Sequence, residues 1–149
     1  MASVKKITFL LFLFILFSFN EKNVQETYTL TVVVKHLRNS KGVVQFALYN
    51  KEGSIPDQKY KKYLKKAITP IYNDSSSVVF KNLPKGTYAV NILHDENKNG
   101  KIDKGFLLPK EGIGFTNYKT IGLGNKPKFI KASFYLNANT TKKIKVIYF

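Results

Sequence analysis

The chain has 149 residues, with 25 basic against nine acidic side chains, a formal charge of +16 at neutral pH, and no cysteine. That length suits a single domain able to bury its own core. The missing cysteine excludes a disulfide framework, a thiol-linked lipid anchor and the usual zinc sets, so stability must come from the core, helped at most by an oxygen-bound metal.

The N-terminus reads as an export signal. Lys5 and Lys6 precede the uncharged run Ile7–Phe19. That run is about 13 residues, short of the ~20 that a membrane-crossing helix needs. Removal of residues 1–20 is expected, with an uncleaved anchor as the alternative. A polar lead-in, residues 21–27, and a single domain, residues 28–149, would remain. This mature part keeps 23 basic and nine acidic residues, a formal charge of +14 (23 minus 9). The excess predicts attraction to polyanions. Export to the periplasm, the outer surface or the medium points to an acidic glycan or envelope component rather than intracellular nucleic acid. The competing reading is that the lysines only solvate strands and block sheet edges.

From Tyr28 the hydrophobic period is two: Leu30, Val32, Val34 and His36 share one face. The turn Asn39-Ser40-Lys41-Gly42 and a second strand through Val44, Phe46 and Leu48 predict a β-hairpin. Ser54-Ile55-Pro56-Asp57 has capping-box spacing. Tyr60, Tyr63, Leu64 and Ala67 then follow at helical spacing, with Lys59, Lys61, Lys62, Lys65 and Lys66 around them. One short amphipathic helix is expected there. Strands follow at 67–72, at 77–80 and, after the turn Leu83-Pro84-Lys85-Gly86, at 87–94. Residues 95–126 read as a long irregular segment holding six of the nine glycines. Strands at 129–136 and 142–149 close the chain. The pattern predicts an all-β fold: an antiparallel β-sandwich, immunoglobulin-like, of about seven strands with one short helix.

The most specific chemistry lies in the run DENKNGKID. Read as a calcium loop, it puts Asp95, Asn97, Asn99, Gly100, Lys101 and Asp103 at positions 1, 3, 5, 6, 7 and 9. Oxygen-bearing side chains at alternating positions of a tight loop converge on one point. Gly100 allows the sharp turn, Lys101 offers a backbone carbonyl, and Ile102 is expected to pack inward. Phe106 stands where an EF-hand places its bidentate glutamate, and a strand rather than a helix precedes the loop. The missing carboxylate is therefore assigned to Glu111, with Glu96 a poorer candidate. The competing reading is a turn whose side chains bond only to backbone.

Other chemistry is sparse. His36 and His94 fall in the apolar phase of their strands and are expected to be structural. No Gly-x-Ser-x-Gly, P-loop or nucleophile–base pair occurs, so the chain reads as non-catalytic. The alternative is an envelope-acting hydrolase with Asp95, Asp103, Glu111 and His94 as its polar site.

The runs LPKGTYAVNILHDENKNGKIDK and PKEGIGFTN resemble an uncharacterised family of exported bacterial proteins, catalogued as domain of unknown function two-one-four-one. The likeness extends over Leu30–Phe149. It rests on Gly86, Tyr88, His94, Asp95, Asn97, Asn99, Gly100, Asp103, Glu111, Gly112, Gly114, Phe115 and Asn117. Ile113 stands where an aromatic is more usual, and Thr116 where serine is. The resemblance implies a small β-sandwich with a signal peptide and carries no activity or ligand. GTYAV is also similar to a strand of prealbumin-like sandwich domains.

Overall fold

The computed structural model describes residues 25–106 and 108–149. The export signal expected over residues 1–20 lies outside them. Eight strands and one helical turn follow in order: β1 Thr27–Lys35, β2 Val43–Tyr49, β3 Lys65–Thr69, β4 Ser75–Pro84, β5 Gly86–Asp95, β6 Gly112–Phe115, α1 Phe129–Ala132, β7 Phe134–Leu136 and β8 Thr140–Ile144.

The strands form two facing sheets. One has the order β4-β1-β8; the other runs β3-β2-β5-β6, with β7 also on β5. All pairings are antiparallel except β1 with β8, which run parallel from Leu30↔Thr140 to Val34↔Ile144. Strand β5 has two further partners besides β2: β6 takes Asn91–His94 and β7 takes Gly86–Tyr88. The all-β sandwich expected from the period-two pattern is therefore the observed architecture.

The core between the sheets follows that alternation. Leu30, Val32 and Val34 of β1 meet Val44, Phe46 and Leu48 of β2 and Val90 and Ile92 of β5 in one buried cluster. Burying such side chains contributes about 1.5–3 kcal/mol each. The Tyr88 hydroxyl ties the β4–β5 corner by donating to the Pro84 carbonyl at 2.8 Å.

Five local expectations are corrected. The predicted β1–β2 hairpin does not form, because the two strands lie in different sheets. Their apolar faces pack against each other across the sandwich, which period-two alternation satisfies as well as a ladder does. His36 accordingly lies in the crossover, exposed and with φ 59°, and Leu37 is the buried neighbour.

The helix expected over 54–67 is replaced by turns leading into β3. Instead of starting a helix, the buried Asp57 carboxylate accepts the Lys61 and Lys62 backbone NH groups at 3.0 and 2.7 Å. Tyr60 turns out of helical geometry with φ 48° and is buried. Helix forms instead at α1, inside the strand expected over 129–136.

The segment 95–126 is not wholly irregular, since its Gly112-Ile113-Gly114-Phe115 run is the fully buried β6. The glycines there admit the C-terminal segment. A Cβ on Gly114 would stand 2.5 Å from the Lys145 carbonyl oxygen.

The five-stranded sheet is buried on its second face too. Ala47, Tyr49, Ala89, Leu93, Ile113 and Phe115 point away from the sandwich into a second cluster, covered by Ile55, Tyr60, Tyr118 and α1. Thr116 and Asn117 clamp α1. The Thr116 hydroxyl donates to the Ala132 carbonyl at 2.5 Å, and the Asn117 amide donates to the Ser133 carbonyl at 2.8 Å.

Candidate functional site

β5 delivers Asp95 to the top of the sheet with its side chain buried. Its two oxygens cap the loop that follows: Oδ1 accepts the Asn99 NH at 3.0 Å and Oδ2 the Gly100 NH at 2.7 Å. This closes the chain on itself within five residues, and Gly100 meets the turn with φ 72°. Asn97 Oδ1 also accepts from the Asn99 NH, and Asn99 Oδ1 accepts from the Lys101 NH. Both asparagine amides converge on Asp103: Asn97 Nδ2 lies 2.6 Å from Oδ2, and Asn99 Nδ2 lies 3.0 Å from each oxygen.

Glu111 reaches the same loop from just beyond the antiparallel Lys104–Pro109 bridge. Its Oε1 accepts the Glu96 NH at 3.0 Å and its Oε2 the Asp103 NH at 3.2 Å. Burial pushes its carboxyl above the ordinary range, Asp95 and Asp103 push the same way, and the two NH donors oppose them. Asp95, Asn97, Asn99, Asp103 and Glu111 are thus joined in one network. Lys101 enters it through its backbone, and Ile102 packs against the second apolar cluster as expected.

Among the described residues, no three His, Cys, Asp or Glu side chains converge closely enough to hold a metal by themselves. Any cation at this loop would depend on amide and backbone oxygens as much as on carboxylates.

A second polar cluster lies beside the loop and escaped sequence reasoning. Arg38, the chain's only arginine, donates through Nε to Glu96 Oε1 at 2.6 Å and through a terminal nitrogen to the Lys110 carbonyl at 3.0 Å. Its guanidinium stacks over the Tyr148 ring, 4.7 Å from the centroid. That ion pair lowers the Glu96 carboxyl below its ordinary value. Glu96 is therefore paired to Arg38 rather than turned to the loop. His94 is fully buried, between the Tyr148 hydroxyl at 2.8 Å from Nδ1 and the Lys41 carbonyl at 2.9 Å from Nε2. A carbonyl only accepts, so Nε2 carries a proton and donates it to the Lys41 carbonyl. His94 is buried, as its apolar phase suggested. The only signal for this cluster in the sequence is that one arginine stands among so many lysines.

Beneath the loop, the Gln45 side chain and the Tyr60 hydroxyl are buried without a hydrogen bond of normal geometry. Burial raises the Tyr60 hydroxyl pKa well above that of a free phenol.

No curated protein and no solved structure matches this chain. A family model described as "Uncharacterized protein conserved in bacteria (DUF2141)" matches residues 32–145, which include most of both sheets, the 95–103 loop and Glu111. The chain belongs to that family.

Proposed function

We propose that this protein is an exported, non-catalytic β-sandwich module. Its 95–103 loop is ordered by calcium, and its lysine-rich surface docks an acidic envelope or glycan partner. One observation carries the calcium reading: Asn97, Asn99 and Asp103 turn their polar ends to one point, on a loop shaped by Asp95. Calcium takes six to eight oxygens in flexible geometry. Rotating the two amides would present their oxygens beside the Asp103 carboxylate, and the Lys101 carbonyl is the further donor. Glu111 braces the loop from beneath.

Asp95 and Glu111 are both buried and tied to backbone NH groups, and His94 is closed off from solvent. These placements favour a binding role over hydrolysis at the same carboxylates. The docking half of the reading rests on Lys59, Lys61, Lys62, Lys65 and Lys66, all exposed on the turns that replace the expected helix and on the start of β3.

The test of the metal is thermal unfolding in millimolar calcium and in chelator. Calcium raises Tm if the reading is right, by about 2.7 kcal/mol of stability at a hundredfold excess over Kd. With few acidic ligands the site falls in the weak range of about 10⁻⁴–10⁻³ M. Superimposable curves refute it. The docking surface is tested on heparin: changing Lys61, Lys62, Lys65 and Lys66 to Gln lowers the salt needed for elution, and unchanged elution refutes that surface.

A further inference from the structure

The outer side of the five-stranded sheet holds a cavity of about 270 Å³ beside the loop network. Its floor is Asn91, Ile113 and Phe115; Ile102 and Ile121 line it, and Lys104 and Lys126 carry charge to it. The volume falls just below the ~300–1,000 Å³ usual for drug-sized ligands, so the occupant must be small.

Three features set its chemistry. First, the lining is mainly apolar and continues onto side chains left open to water: Leu123 is 91% exposed, and Leu108 and Phe149 are also exposed. Apolar surface of this kind beside a concavity marks a ligand or partner site. Second, the rim is cationic. Lys104 meets only the neutral Gln58 oxygen at 2.6 Å, and Lys126 has no side-chain partner among the described residues. Asp57, the one acidic lining residue among those described, has its oxygens engaged by the Lys61 and Lys62 NH groups and the Tyr49 hydroxyl. Third, the floor has a free acceptor. Asn91 is only 3% exposed, and its Nδ2 donates to the Gly114 and Ile92 carbonyls at 3.1 and 3.3 Å, while its Oδ1 has no hydrogen-bond donor among the described residues and is not among the fully enclosed unpartnered atoms. A ligand hydroxyl can donate to that open oxygen.

We propose that this cavity binds a small amphipathic carboxylate. Its apolar body lies against Ile102, Ile113, Phe115 and Ile121, its anionic end meets Lys104 and Lys126, and a hydroxyl at its buried end reaches Asn91. The proposal does not depend on calcium at the neighbouring loop, so the measurement is made in both calcium and chelator.

The probe is ω-hydroxydecanoate, titrated below its micelle concentration into the full-length protein and followed by calorimetry and thermal shift, with decanoate as the comparison. One saturable site and a raised Tm are expected, with decanoate binding more weakly. The exposed Leu123→Asp change and the pair Lys104→Gln/Lys126→Gln should each weaken binding about tenfold, or 1.4 kcal/mol, with unchanged circular dichroism. Added salt should weaken binding to the wild type more than to the lysine pair variant. No saturable binding, or binding unaffected by either variant, overturns the proposal. Equal affinity for decanoate removes Asn91 from it.

Discussion

Glu111 holds Asp103 by its backbone, accepting the Asp103 NH at 3.2 Å on one carboxylate oxygen while the other accepts the Glu96 NH at 3.0 Å. One buried side chain thereby joins the two ends of the loop proposed to bind calcium. Bracing and cation binding can be separated by mutation. Glu111→Gln puts an amide NH₂ where an acceptor is needed and should cost about 1–3 kcal/mol with or without calcium. Asp103→Asn removes charge at the point where the amides converge. It should leave stability in chelator nearly unchanged and abolish any rise of Tm in calcium. A calcium response that survives in Asp103→Asn counts against this ligand set. Asp95→Ala is a poorer probe, because Asp95 also caps two backbone NH groups.

Arg38 links the crossover after β1 to the loop through Glu96 and to the C-terminal segment through Tyr148. Arg38→Lys keeps the charge but loses the planar fork that bonds Glu96 and the Lys110 carbonyl together. A fall in Tm is expected. A double-mutant cycle with Glu96→Gln should give a coupling of only about 0.2–1 kcal/mol, because the pair is partly exposed. A coupling of zero would assign the role of Arg38 to its stacking on Tyr148.

Gly114 faces the C-terminal segment with no room for a side chain. A Cβ there would lie 2.5 Å from the Lys145 carbonyl oxygen and 2.8 Å from Ile144 Cγ2. Gly114→Ala should cost about 1–3 kcal/mol by overpacking. Gly122→Ala is the control, since nothing lies within 4 Å of the added carbon. Equal denaturation midpoints for the two variants would contradict the close approach.

Burial pushes the Tyr49, Tyr60 and Tyr148 hydroxyls above the ordinary phenol value of 10.0. The folded protein therefore keeps protons that the unfolded chain releases. The contribution of these groups to stability is complete below pH 10 and is lost as the pH rises past it. Phenolate absorbance should show one group of tyrosines ionising early and a second only as the circular dichroism collapses. All nine tyrosines titrating before unfolding would contradict this burial.

What the sequence determined by itself was whatever depends on near neighbours in the chain. Alternation at Leu30, Val32 and Val34, and again at Val44, Phe46 and Leu48, identifies the core faces, because side chains in a strand point to opposite sides in turn. The Asp95–Asp103 loop was legible for the same reason, since its caps and turns connect residues two to six positions apart. Tertiary structure alone decided which strands pair. Alternation specifies a face but not a neighbour, so β1 and β2 could read as a hairpin and yet stand in opposite sheets. The tyrosines at helical spacing misled similarly: Asp57 found its backbone partners in a turn, and Tyr60 found its place on the second face of the sheet. The Arg38–Glu96 pair spans 58 residues and the His94–Tyr148 contact 54. Contacts over such separations leave no local pattern, because they form only where two distant segments are packed against each other.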